Sequence, residues 1–186
     1  MGLTTDSVSR LSFFQQGLSI VEVLVVVAIL GILMAVGLPE FRTLIADQRL
    51  RSAASDLVGE LAYARSEAIK QQRRVVVERT GATWRDGWRV YVDRDASDTF
   101  SAGDQELRSS PGFSNSDMRV CDLSFRFADR IVFRGDGAVA NAPAGAESGL
   151  RVVDSTGAAR TRIIAISVAG RAGVELAPSG SGGSCG

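Results

Sequence analysis

Three patterns of apolar and polar residues follow one another along the chain. From Leu18 to Leu38 runs a stretch of 21 residues whose only polar side chains are Ser19 and Glu22. As a helix it would be roughly 31 Å long at ~1.5 Å per residue, the thickness of a bilayer's hydrocarbon core. Beyond Phe41 the apolar positions become periodic. Leu50, Ala54, Leu57, Leu61, Ala64 and Ala68 recur at steps of three and four, with arginines between them. That spacing predicts an amphipathic helix with its apolar stripe on a core, continuing the first helix without a loop and ending near Gln72.

After Gln72 the period shortens. Residues 75–178 read as short β-strands: Val75–Arg79, Trp88–Asp93, Glu106–Arg108, Leu123–Phe127, Ile131–Phe133, Leu150–Val153, Arg162–Ser167 and Gly173–Leu176. Glycine-bearing turns divide them. The stretch from Gly135 to Gly149 is long and poor in apolar residues, which predicts a mobile loop. The tail "PSGSGGSCG" has the composition of a flexible linker that ends in a cysteine. No internal repeat is visible. The pattern predicts an α+β fold, with one long N-terminal helix and a β-rich C-terminal domain on its second half.

Composition narrows the chemistry. The 21 basic and 21 acidic side chains cancel, so no global field draws the protein to nucleic acid or to an acidic surface. Twenty of the basic residues are arginine and one is Lys70, a bias that genome base composition explains as well as a need for bidentate contacts. The chain has no histidine, which removes Ser-His-Asp and Cys-His catalysis and imidazole metal sites. Two cysteines, Cys121 and Cys185, are too few for a four-thiolate zinc site. The chain is read as a non-enzyme that carries neither metal nor cofactor.

The N-terminal run does not look like a secretory signal peptide. Arg10 is the one basic residue before it, the apolar stretch is too long, and Pro39, Glu40, Phe41 and Arg42 follow in place of a small-x-small cleavage site. A plain anchor fits the length but leaves Glu22 unexplained. A carboxylate within such a span costs on the order of 2–3 kcal/mol on insertion scales, less near the interface, and usually serves a function. A positive charge on a neighbouring copy or relative, met when helices pack side by side, would explain it.

At this point the residues resemble a known family. Gly17-Leu18-Ser19-Ile20-Val21-Glu22 looks like the processing site of class III signal sequences, those of type IV prepilins and pseudopilins. The resemblance implies that a prepilin peptidase cuts between Gly17 and Leu18 and methylates Leu18. It also implies that Glu22 neutralises the amino terminus of a neighbouring subunit, and that Pro39 stands where pilins commonly carry a helix-kinking proline. Leu18 replaces the usual phenylalanine, and the 17-residue leader has Asp6 offsetting Arg10. Later pieces resemble the FimT/FimU/GspH branch of minor pilins and pseudopilins. They are "LAYARSEAIKQQ" (61–72), the tryptophan-containing hairpin "WRDGWRVYVDRD" (84–95), and the Gly-Arg turn "SVAGRAG" (167–173).

The resemblance implies a cleaved leader at 1–17, a membrane and filament-core helix at 18–38, and its amphipathic second half at 39–72. A β-rich domain at 73–178 and a Gly/Ser tail at 179–186 would complete the chain. The place implied is the bacterial inner membrane, crossed once, with the globular domain periplasmic, and then a filament. The implied partners are the prepilin peptidase, other major and minor pilins or pseudopilins, and an inner-membrane assembly platform. The preferred role is a type IV pilus minor pilin near the tip that helps to prime assembly, with adhesion, twitching motility or DNA uptake as roles it would support. The alternative is the GspH-type pseudopilin of a type II secretion system, and a membrane-anchored enzyme or binding protein is the remaining class.

Four further features can be weighed. Outside the cytoplasm Cys121 and Cys185 are expected to pair, closing a loop of about 65 residues and contributing on the order of 4 kcal/mol by the chain-entropy model. Free thiols or pairing with another protein are the alternatives. Asp93, Asp95, Ser97 and Asp104 fall at positions 1, 3, 5 and 12 of an EF-hand-like count. The sixth position is Asp98 where the turn needs glycine, so a solvated acidic hairpin loop is the preferred reading. Some members of this branch bind DNA through Gly-Arg-x-Arg. Here Gly170-Arg171-Ala172-Gly173 lacks the second arginine, Arg160 and Arg162 would have to supply charge, and a structural turn is preferred to DNA binding. Trp84 and Trp88 are expected to cap a hydrophobic core and not to form a ligand platform.

Overall fold

The computed structural model describes residues 19–113, 117–123, 126–142, 148–157 and 161–178, and for 36, 38 and 39 the helical backbone alone. The chain falls into two units, one up to Glu40 and one from Phe41 onwards, each taken by itself here. A single helical element, α1 (Ile20–Gln71), supplies residues to both.

In the first unit the described side chains of α1 are apolar apart from Glu22 and Glu40. In the second its faces divide, as the steps of three and four predict. Leu50, Ala53, Ala54, Leu57, Leu61, Ala64 and Ala68 are buried. The helix stops where Gln72 turns to φ +52° and its side-chain Nε2 donates to the Ile69 carbonyl at 2.7 Å. The Arg73 N–H then reaches back to the Ala68 carbonyl at 3.3 Å, capping an otherwise unpaired acceptor of the last turn.

Eight strands follow: β1 (Arg74–Arg79), β2 (Trp88–Asp93), β3 (Gln105–Ser110), β4 (Met118–Asp122), β5 (Arg130–Phe133), β6 (Gly149–Asp154), β7 (Arg162–Ile166) and β8 (Ala172–Leu176). They make two four-stranded sheets, in the orders β3-β2-β1-β5 and β4-β6-β7-β8, with every recorded pairing antiparallel. The inward residues of both sheets join the helix stripe in one core. Val75, Val77, Val90 and Ile131 come from the first sheet, and Val120, Leu150, Val152 and Ile164 from the second. Each leucine so buried contributes roughly 1.5–3 kcal/mol, while the four alanines of the stripe let the sheets approach the helix backbone.

The far face of the first sheet has a smaller apolar cluster of its own, Val76, Tyr91 and Val132. The β2–β3 loop folds back over it. Phe100 packs edge-on against Tyr91 at 5.2 Å, and Arg74 Nη1 holds the Asp98 carboxylate at 2.7 Å. That accounts for Val75-Val76-Val77: β1 is buried on both faces, so it reads as an unbroken β-branched run.

Two expectations are corrected. The strand expected at Leu123–Phe127 lies earlier, at β4, where Met118 and Val120 face the core and pair with β6. Phe127 is fully buried, yet from a loop: its N–H donates to Asp122 Oδ2 at 2.8 Å and its carbonyl accepts from Trp84 Nε1 at 2.7 Å. The second correction concerns the loop after Gly135. Of its described residues, 135–142 are tied down, with Val139 buried, bridging to Phe133 and donating to the Val168 carbonyl at 2.9 Å, and Gly149 already begins β6.

One buried ion pair fastens the helix to the second sheet. Arg162 points inward from β7, and its Nη2 lies 2.7 Å from both carboxylate oxygens of Asp47 on α1. Its side chain is 7% exposed and that of Asp47 31%, so removing the acid would strand a desolvated guanidinium. Asp47→Ala is expected to lower stability by about 3–5 kcal/mol, and adding Arg162→Met to restore most of the loss. Thermal melting of the two variants checks this; equal losses in both would mean that the charge pair is not what holds the contact.

Candidate functional site

The candidate site is the first part of α1. Ile20, Val21, Leu24, Val27, Ile32, Leu33 and Met34 are 59–80% exposed. Glu22 stands in the first turn of this helix and is also exposed. A carboxylate there complements the unpaired N–H groups and positive dipole end of a helix N-terminus. The Val23 N–H donates to the Ser19 carbonyl at 3.2 Å, so Ser19 already belongs to the helical ladder. Gly31 and Gly37 present open backbone, with nothing within 4 Å of where a Cβ would stand. Such positions let a second helix pack closely.

Among the described residues no single helix is long and apolar enough to cross a membrane. The pieces Ile20–Ala35 and Glu40–Gln71 meet the test of length and composition only as a pair. Gly17 and Leu18, where cleavage is expected, lie outside the described residues. Pro39 is helical in its backbone, and its side chain lies outside them as well.

The Gly-Arg turn has a structural role that the sequence reading preferred. Gly170 takes φ +78°, and a Cβ on it would lie 1.9 Å from the Gly137 carbonyl oxygen. That oxygen accepts from Arg65 Nε of α1 at 3.0 Å, so the turn, the loop after β5 and the helix meet at one point. The turn is closed by Gly170 N–H donating to Ser167 O at 2.8 Å and Arg171 N–H donating to Ser167 Oγ at 3.0 Å. Arg171 is exposed. Arg162, taken from sequence as a surface charge for DNA, is instead buried against Asp47, and Arg160 lies outside the described residues.

Cys121 sits on β4 and is not a free thiol. Cys185 lies outside the described residues. Both tryptophans are buried, as expected of core caps. Trp84 opens a single 3-10 turn, Trp84–Asp86, whose Thr83 N–H donates to the Asp86 carboxylate at 2.8 Å. Trp88 starts β2 and packs on Phe113 with ring centroids 5.2 Å apart.

The acidic loop after β2 draws Asp93, Asp95 and Asp104 together, their nearest oxygens within 4.8 Å of one another. Burial pushes the Asp93 carboxyl up, and the Asp95 carboxylate beside it adds to the effect. The Ser97 hydroxyl and N–H hold Asp95 below its ordinary range. The loop's own amides occupy the carboxylates: Ser97 and Asp98 donate to Asp93, and Arg94 and Ser101 to Asp104, at 2.7–3.2 Å. Ser97, counted from sequence as a fifth-position ligand, therefore serves as a donor that closes the loop.

Comparison with known proteins agrees with this geometry. Residues 53–170 match the family described as type II transport protein GspH, and residues 13–38 match the prokaryotic N-terminal methylation motif. No curated protein matches the chain. Among solved structures the chain is similar to the type IV minor pilin FimU of Pseudomonas aeruginosa, seen in two crystal forms. In one the identity is 27% and the TM-score 0.54, over 70% of this chain and 90% of that one. In the other they are 26% and 0.50, over 69% and 92%. The chain belongs to the GspH family and is a minor pilin or pseudopilin of the FimT/FimU/GspH type.

Proposed function

We propose that the protein is a type IV pilus minor pilin that enters the filament near its tip and helps to prime assembly. The family and fold are those of structural pilins. The observation that carries the reading is the exposed apolar surface of α1 from Ile20 to Met34, with Glu22 in its first turn. Before assembly this segment anchors the chain once in the inner membrane, the globular domain being periplasmic. After a prepilin peptidase has cut between Gly17 and Leu18, the helix leaves the bilayer and joins other pilin helices through the assembly platform. Glu22 then pairs with the methylated amino terminus of a neighbour, an attraction strengthened by the low dielectric of a helix bundle.

A second reading has its own support, since the matching family model is that of the type II transport protein GspH. It makes the chain a pseudopilin of a secretion filament. The two readings share the assembly chemistry and differ in what the filament does. DNA binding is left out of the proposal: Arg162 is committed to Asp47, and the motif at Arg171 lacks its second arginine. A deletion strain separates the readings, with sheared surface pili and secreted enzymes measured in the same cultures. Loss of pili with secretion intact is expected; intact pili with secretion lost would move the protein to the secretion filament.

Two substitutions probe the chemistry. Glu22→Gln is expected to leave leader cleavage intact and to lower the amount of this chain in sheared filaments by at least about tenfold, the equivalent of ~1.4 kcal/mol. Immunoblots of membrane and filament fractions check it, and normal incorporation would refute the role given to Glu22. Cys121 and Cys185 are proposed to pair with each other. Cys185→Ser should then lower stability by on the order of 4 kcal/mol under oxidising conditions and by nothing under reducing ones. A loss that does not depend on reductant would argue against the bridge.

A further inference from the structure

The second sheet turns one face to the core and the other away from it. Met118, Val120, Leu150, Val152, Ile164 and Ile166 line the inner face. Successive side chains of a strand alternate between faces, so the residues between these stand in rows on the outer face. The pairing register sets one such row as Cys121, Arg151, Ile163 and Glu175, on β4, β6, β7 and β8 in turn. The row runs from edge to edge, since β4 and β8 are the outer strands of this sheet.

Two observations meet on this outer face. Cys121, at one end of the row, is bonded through its sulfur, and the sequence holds one other cysteine, Cys185. The chain leaves β8 at the opposite edge, with Pro178 two residues past the strand and Cys185 seven beyond that. The second observation is Val153, which stands next to the row on the same face, opposite Arg119 of β4. Val153 is fully buried, yet it belongs to neither apolar cluster of the described residues. A valine on an outer sheet face is shut off from water only where something lies over it.

We propose that the segment 179–185, which lies outside the described residues, crosses the outer face of the second sheet from β8 to β4 and covers Val153. The idea rests on the reading that Cys185 pairs with Cys121. Three inter-strand steps of ~4.8 Å make about 14 Å, and Pro178 stands about 10 Å along β8 from the row of Cys121. The bridge itself spans about 5.5 Å between Cα atoms. Seven residues reach about 24 Å. That suffices for the outer crossing and not for a path round the inner side, where Arg162 of β7 meets Asp47 of α1. Residues 179–184 are serine and glycine only, so their backbone can lie flat on the sheet. In the recorded pairings β4 is held by β6 alone and β8 by β7 alone. The crossing ties these two edges to each other, and edges held on one side are where a sheet frays and where foreign strands add. A neighbouring subunit that approaches this face meets the crossing segment in place of Val153 and Ile163.

The test uses the full chain in detergent under oxidising conditions. A photoreactive benzoylphenylalanine in place of Ile163 is expected to form an intramolecular adduct that fragmentation places on residues 179–184. Cys185→Ser releases the far end of the segment and is expected to cut that adduct by about fivefold or more. Val153→Ala reads the cover without a bulky probe. It is expected to lower the melting temperature by about 4 °C or more in the bridged chain, and by about half as much or less in the Cys185→Ser chain. Peptide mapping without reductant reports the bridge separately. A Cys121–Cys185 bridge accompanied by no adduct on 179–184, or by equal Val153→Ala shifts in both chains, overturns the crossing alone. Absence of that bridge overturns the pairing and the crossing together, so the two failures are told apart.

Discussion

An apolar helix surface left in water is the constraint on which the rest of this molecule turns. From Ile20 to Met34, α1 exposes valine, leucine and isoleucine side chains. Such a surface needs either lipid or other helices. Glu22 makes the two coverings unequal, because a carboxylate is disfavoured in hydrocarbon and favoured beside an opposite charge. In the proposed route from membrane to filament, this single acidic side chain biases the helix from one medium towards the other. The N-terminal methylation motif at residues 13–38 would place a processed amino terminus four residues ahead of it.

The second half of α1 solves a different problem by different means. Its stripe is covered from within, by two sheets that close on Leu57, Leu61 and the alanines between them. Apolar burial has no direction, so a few polar contacts fix how the second sheet meets the helix. Asp47 holds Arg162 of β7, and Arg65 holds the Gly137 carbonyl against which Gly170 turns. That close approach explains the glycine of the Gly-Arg turn without any ligand.

What was legible in the sequence follows from range. The helix stripe, the Val75–Val77 strand and the limits of Trp88–Asp93 depend on neighbours within a few residues or on simple periodicity, and all are found. β4 was not legible. "MRVCD" and "LSFRF" alternate equally well, and the choice between them lies with β6, some thirty residues further on. Val139 was hidden because one apolar residue in a glycine-rich stretch gives no period. Arg162 was misread because its partner lies 115 residues away, and an arginine in a strand looks like a surface charge until that partner is seen. Of the candidate site, Glu22 is singled out in the sequence by its motif, and the structure places it in the first turn of α1.

The most direct test of assembly through a processed helix is the intact mass of this protein recovered from sheared filaments. A chain beginning at Leu18 and heavier by one methyl group is the expected result. A chain that begins at Met1, or one cut elsewhere in the apolar run, would contradict the pairing of Glu22 with a neighbour's terminus and with it the proposed route from membrane to filament.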